Sequence, residues 1–331
     1  MKKQRGVALL TVLLVLTVMV TIAAGMTNRS YLSARRSINL NNHEQAYWYA
    51  MASEALAKRA LKQDFEDADG TVHLQQYWAL ADVVYPVENG TIAGTIDDMR
   101  SCFNLNALSL PLSDAEKQQD PYQSPLAVRQ LVAMLEAYDV DSYTAEMIAD
   151  RVRDFVDADS DNAGSYGAES AEYEAREFPY QAPNQLMFHH SELRAVLGVS
   201  AQHYQFLEDR ICAIPGDDRQ LLNVNTLAIE QPQLLVGMVE GKLSNSEAQE
   251  VLNNRPEDGW ETIEDFWAEA NMQRLSDIDD ALKSTIVVDS DYFRLRGGAQ
   301  VDTAVFRLET VLQRGGGDTL TVVSRQFGGQ Q

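Results

Sequence analysis

The chain opens with Lys2-Lys3-Gln4-Arg5-Gly6 and passes at once into VALLTVLLVLTVMVTIAA, Val7 to Ala24. This run carries no charge, and its only polar groups are threonine hydroxyls, which can bond back to the preceding helical turn. At about 1.5 Å per residue it is long enough, as a helix, to cross a bilayer. Lys2, Lys3 and Arg5 supply a positive flank that orients the N-terminus to the cytoplasm. Arg29, Arg35 and Arg36 on the other flank weigh against the same rule.

Past the apolar run nothing breaks the helix. No proline occurs before Pro86, and Asn28 to Phe65 is rich in Ala, Leu, Arg, Glu, Gln and Lys, all good helix formers. Ala46, Ala50, Ala57, Leu61 and Phe65 recur on one stripe of a 3.6-residue period. One helix is therefore expected to begin in lipid and end packed on a globular head.

The full chain has 331 residues and a formal charge of −22, enough length for a sizeable core. So acidic a protein repels nucleic acid and anionic lipid surfaces on average, which directs attention to proteins and cations as partners. Cys102 and Cys212 are the only cysteines. They can form one disulfide in an oxidising compartment or stand as two separate buried thiols.

Val83 to Ile96 alternates apolar and polar side chains around Asn89-Gly90, a hairpin signal with Pro86 tolerable at an edge. Further strand signals come only at the far end: Thr285 to Arg296, Ala304 to Gln313 and Thr319 to Phe327, separated by Gly297-Gly298 and by Gly315 to Gly317. A small antiparallel sheet is thus assembled from distant parts, with residues 100–284 inserted. The insertion reads as helical and contains a repeat. RSCFNLNAL (Arg100 to Leu108) and RQLLNVNTL (Arg219 to Leu227) share the order apolar-Asn-apolar-Asn-x-Leu. Apolar helical stretches follow (Leu126 to Leu135; Leu234 to Val239), then second helices ending near Arg151 and Arg255. Trp260, Phe266 and Trp267 are assigned to the core of the second unit. Helix pairs of this kind resemble helix-hairpin-helix modules, but an Asp- and Glu-rich surface opposes phosphate binding.

Between the repeats, Asp157, Asp159 and Asp161 alternate and are followed by Asn162, Gly164, Gly167 and Glu169. Oxygen donors so spaced can curl around Ca²⁺, which takes about six to eight oxygens, and glycine permits the tight path. Asn162 stands where an EF-hand loop needs glycine and Ala168 where it needs the bidentate acid, so the loop is of another type. A solvated acidic surface is the alternative.

RGVALLTVLLVL, the NLN and NVNT segments, DFVDADSD followed by GAES, FPYQAPNQLMF and SELRAVLGV together resemble the general secretion pathway protein K family, the large minor pseudopilins of type II secretion systems. The resemblance covers nearly the whole chain. It implies an α+β pseudopilin fold, a long N-terminal helix packed on a small antiparallel sheet, with a large all-α insertion containing two related helical units. The segments are then a prepilin leader (1–6), the transmembrane half of the helix (7–26), the pseudopilin helix and first strands (27–99), the inserted domain (100–284) and the C-terminal strands (285–331). Cleavage between Gly6 and Val7 by a prepilin peptidase, with methylation of the new amine, is implied. So is Ca²⁺ held by Asp157, Asp159, Asp161 and Glu169, with Glu172 and Asn184 as further candidates.

Most pseudopilins carry Glu at the fifth mature residue, where it neutralises a neighbour's α-amino group in the membrane; here Thr11 stands there. A subunit at the fibre tip needs no such carboxylate. The family implies that role, in the bacterial inner membrane as a single-pass protein with its head in the periplasm. Its partners are I- and J-type minor pseudopilins, other pseudopilins, the peptidase and the inner-membrane assembly platform. The alternatives are a membrane-anchored, Ca²⁺-dependent binding protein that is not polymerised and a DNA-uptake minor pilin. No catalytic motif is evident: His43, His73, His189, His190 and His203 lack zinc-type spacing, and no serine sits in G-x-S-x-G.

Overall fold

The computed structural model describes residues 7–68, 70–80, 83–120, 122–275 and 278–328, so the expected leader and its Gly6 lie outside the described residues. Helix α1 (Val7–Asp67) runs unbroken for 61 residues. Residues 7–41 are exposed on every side, and the apolar window there has a mean hydropathy of 2.8 with no buried residue. From Ala46 onward one face is buried: Ala46, Ala50, Ser53, Glu54, Ala57, Leu61, Asp64 and Phe65. The alanines bring the helix close, and Leu61 and Phe65 supply volume, each worth about 1.5–3 kcal/mol when fully buried. The polar members of the stripe are paired. Glu54 accepts from Arg325 at 2.9 and 3.1 Å, and Asp64 accepts from the backbone N–H groups of Tyr77 and Trp78.

The strands are β1 (Val83–Val87), β2 (Gly90–Asp98), β3 (Phe103–Asn104), β4 (Ile211–Cys212), β5 (Leu222–Asn223), β6 (Ile286–Val287), β7 (Tyr292–Val301), β8 (Ala304–Arg314) and β9 (Leu320–Phe327). Five form one antiparallel sheet in the order β1-β2-β7-β8-β9, on which α1 lies. Two expectations need correction here. Gly297 and Gly298 do not separate strands but lie inside β7, and the reversal falls at Asp302, with φ 51°. Gly297 is required by packing, because a Cβ there would collide with the Ser53 hydroxyl of α1. The strand read from Thr285 is also divided. Ile286–Val287 pair in parallel with Leu222–Asn223, so the inserted body extends past Ser284 before the main sheet resumes at Tyr292.

The insertion contains α2 (Asp114–Gln119), α3 (Leu126–Ala137), α4 (Ser142–Val156), α5 (Ser170–Glu174), α6 (Ala201–Leu207), α7 (Pro232–Met238), α8 (Asn245–Asn253), α9 (Ile263–Trp267), α10 (Ala270–Gln273) and α11 (Asp280–Lys283). Its two units have matching frames. β3 closes in parallel on β4 as β5 does on β6, with hairpins α3–α4 and α7–α8 between. The repeated asparagines do equivalent work. Asn104 Oδ1 accepts from Asn106 N and Asn223 Oδ1 from Asn225 N, while Asn106 bonds the backbone of Met187 and Asn225 that of Trp260. The units meet through α3 and α7, where a Cβ on Gly237 would lie 2.5 Å from that of Met134. Helix α4 continues past Arg151 to Val156, and the Arg151 guanidinium donates to the carbonyls of Tyr166 and Leu197. Cys102 and Cys212 are joined by a disulfide that encloses the first unit.

The insertion is fastened to the sheet at a buried ionic joint. Arg100, fully buried, binds Asp217 at 2.5 Å and Asp291 at 2.8 Å and lies over the Tyr292 ring. Burial pushes Asp217 up, but Arg219 and Arg100 beside it hold its carboxyl below the ordinary range. Removing one partner from such a group strands the other charge, so Arg100→Ala is expected to cost about 3–5 kcal/mol in denaturant unfolding. A loss below about 1 kcal/mol would show that the joint is solvated in the working protein.

Candidate functional site

The acidic loop hangs from α4. Asp141 caps that helix by accepting from Thr144 N, and Ala145, Ile148, Ala149, Val152 and Phe155 bury its apolar face. The other face presents Asp150 and Asp154 to the loop. Asp150 Oδ2 accepts from the N–H groups of Ser165 and Tyr166, and Asp154 Oδ1 from that of Ala163 at 2.8 Å. Gly164, with φ +54°, is needed because a Cβ there would sit 2.5 Å from the Asp150 carboxyl carbon, and Gly167 lies as close to Asp154.

This cradle gathers Asp157, Asp159 and Glu169, whose ligand oxygens lie within 4.8 Å of one another. Asn184, arriving from the far side with φ 46°, donates to the Asp159 carbonyl at 2.5 Å and to Glu169 Oε2 at 3.4 Å. Asp161 is not brought into the group; it is exposed, and its N–H donates to Asp159 Oδ1. Glu172 is occupied elsewhere, accepting from Glu169 N at the start of α5.

Four oxygens in and around the cradle are buried with no hydrogen-bond partner: Asp154 Oδ2, Asp157 Oδ1, Glu169 Oε1 and Asn184 Oδ1. Unpaired buried acceptors are costly, and two of these four belong to the gathered acids Asp157 and Glu169. Burial, with the charges of Glu169 and Asp157 adding to it, raises Asp154 to about 7 against two backbone bonds. Burial and the Asp159 charge raise Asp157 to about 6, opposed by Arg153. Burial likewise pushes Glu169 up. An all-oxygen donor set of this kind, strained by its own charge, fits a hard divalent cation. Asp150 and Asp154 escaped the sequence reading; the available signal was their four-residue spacing on α4, leading into Asp157.

Among the described residues the histidines form no comparable group. His190 is pushed down to about 4 by burial and the neighbouring His189, whose Nε2 lies 3.5 Å from Glu309.

The raised Asp154 fixes a sign. Its folded value lies above the ordinary 3.8, so the folded chain holds a proton that the unfolded chain releases. The stability this contributes is full below about pH 3.8 and is lost as pH rises through about 7. Under chelation, Asp154→Asn is therefore expected to gain on the wild type between about pH 4 and 7 in parallel denaturation curves. A constant difference across that range would mean that Asp154 ionises normally.

A long helix with an exposed apolar half, laid on an antiparallel sheet that carries a helical insertion, defines a pseudopilin-type protein, and that apolar half is consistent with a membrane anchor. Residues 101–216 and 222–289 each match a family profile described as Type II secretion system (T2SS), protein K. The type II secretion system protein K of Aeromonas hydrophila is 42% identical over 100% of this chain and 99% of its own length. That of Pectobacterium carotovorum subsp. carotovorum is 32% identical over 99% and 97%. A chain of the solved GspK–GspI–GspJ complex from the enterotoxigenic Escherichia coli type 2 secretion system superposes with a TM-score of 0.77 at 34% identity, covering 89% of this chain and 100% of that one. The chain belongs to the type II secretion system protein K family, and is a minor pseudopilin of that system.

Proposed function

We propose that this chain caps the periplasmic pseudopilus, starting its assembly with I- and J-type minor pseudopilins and riding the fibre that moves folded proteins across the outer membrane. The observation that carries the reading is where the insertion sits. Val72, just past the end of α1, donates to Val288 and accepts from the side chain of Asn223, so the inserted body covers the end of α1 opposite its apolar half. A subunit stacking above would meet that body first. Below, residues 7–41 are free for neighbouring helices.

Thr11 supports the same place in the fibre. Its hydroxyl bonds back to the Ala8 carbonyl within its own helix, and it offers no carboxylate to a neighbour's ammonium group. Processing between Gly6 and Val7 and methylation of the new amine belong to this reading, and intact mass of the membrane-extracted chain tests them. Met1 retained would overturn it.

The proposed cap forms a defined complex with I- and J-type heads and labels only fibre ends in immunogold images. Label spread along the shaft overturns the cap, whereas Thr11→Glu should leave the end-labelling unchanged because the inserted body still blocks stacking.

Ca²⁺ is the cation proposed for the loop, held by Asp157, Asp159 and Glu169 with oxygen from Asn184 and backbone. It supplies the positive charge that lets these acids stay ionised together, a structural role with no chemistry on it. Binding is expected at about 10⁻⁴ to 10⁻³ M. It should raise the thermal midpoint of the detergent-solubilised full chain, and Asp157→Asn with Asp159→Asn should abolish that rise. A rise that survives the double substitution places the ligands elsewhere.

A further inference from the structure

The basic residues just beyond the apolar run run counter to the orientation rule and take no part in the fold. Arg29, Arg35 and Arg36 lie on the exposed stretch of α1, and no Asp or Glu occurs before Glu44. Among the described residues Arg29 and Arg36 have no side-chain partner; Arg35 Nε donates to Tyr31 Oη at 3.0 Å, with its guanidinium 5.3 Å from that ring's centre. We propose that these arginines form a cationic collar that binds anionic phospholipid headgroups of the leaflet from which α1 emerges. The proposal rests on the reading of residues 7–26 as a membrane span.

Distance places the collar. From Val7, Arg29 lies about 33 Å along the helix axis, just past a hydrocarbon layer of about 30 Å. Thr27 bonds back to Ala23 at this level, so its hydroxyl is satisfied within the helix at the boundary. Arg35 and Arg36 lie about 10 Å further on. Helical side chains lean toward the N-terminus, so both long cations reach back toward the headgroups, not away from them. Arg29 and Arg36, seven residues apart, share one face, while Tyr31 and Arg35 share another. The Tyr31 ring is of the amphipathic type found at membrane interfaces.

Charge complementarity and continuity with the span identify the occupant. The chain as a whole repels anionic surfaces, but its acids all begin at Glu44, beyond the collar. A phosphodiester offers the oxygens that guanidinium groups bind in pairs. Attraction of basic side chains to an anionic leaflet grows with each cation close to it.

The test uses the full-length chain in detergent, with retained lipids counted by native mass spectrometry after equal exposure to phosphatidylglycerol and phosphatidylcholine. Wild type should retain phosphatidylglycerol about tenfold over phosphatidylcholine at low salt, the preference fading at high salt. R29Q/R35Q/R36Q should lose the preference, and R29K/R35K/R36K should keep most of it. Equal retention of both lipids by the wild type, or a preference undiminished in the glutamine variant, overturns the collar. If the glutamine variant instead loses only the complex with I- and J-type heads, the arginines serve an acidic protein partner and the lipid proposal fails. Failure of the wild type to float with liposomes of either lipid marks the span as wrong, which is a separate failure.

Discussion

Asp98 ends β2 with both carboxylate oxygens buried, and its donors come from separate parts of the chain. Oδ1 accepts from Arg100 N and Ser290 Oγ, and Oδ2 from Asn223 Nδ2 and Thr226 Oγ1. Burial pushes its pKa up, while these four bonds favour the ionised form. Each unfilled site on a buried acceptor costs about 1–3 kcal/mol, so the four donors are held together by a shared penalty. They are the start of the insertion, the first turn of its second unit and the segment that leads into β7. The orientation of the inserted body on the head follows from this one residue, and the Arg100 guanidinium adds a second tie beside it by pairing with Asp217 and Asp291.

The two units of the insertion are alike where the backbone must turn and different where each meets its surroundings. In both, the first asparagine of the pair starts a turn and the second ties that turn to a distant segment of the same unit. The spare amide of the first asparagine then diverges. Asn104 Nδ2 reaches the carbonyls of Asp217 and Arg219, whereas Asn223 Nδ2 reaches Val72 and Asp98. The first unit is thereby tied to the second, and the second to the helix-and-sheet body. Only the first carries the disulfide and the acidic loop, and Asn106 holds Met187 and Ile214 between them.

Much of this was legible in sequence because it obeys a period or a local rule. The α1 stripe follows 3.6 residues and the Val83 hairpin follows two, and both depend on which face is buried. The pairing of Asp157 and Asp159 with Glu169 was visible as acids around glycines. What escaped depends on contacts across the fold. Glycines usually mark reversals, but Gly297 is small because α1 presses on the sheet there, a fact held by Ser53 some 240 residues earlier. Glu54 and Asp64 break the apolar stripe, and their burial is explained only when Thr310 and Arg325 are placed beside Glu54 and the Trp78 amide beside Asp64. Asp161 sits in perfect alternation with Asp159 yet turns outward, because an alternating spacing constrains direction only in a strand and this loop is not one.

The charge of the chain is ordered along α1, and the order has a mechanical meaning. Arg29, Arg35 and Arg36 follow the apolar run with no acid before Glu44, whereas from Glu44 onward 49 acids face 21 bases. Eight residues of helix separate Arg36 from Glu44, about 12 Å, which exceeds the screening length of about 8 Å at physiological salt. The two populations therefore do not neutralise each other, and an anionic leaflet attracts one while repelling the other. A flexible linker would let the head collapse on the collar, but α1 is a single helix through Asp67. On the proposed reading of residues 7–26 as a membrane span, the same rod also holds the acidic head off the bilayer.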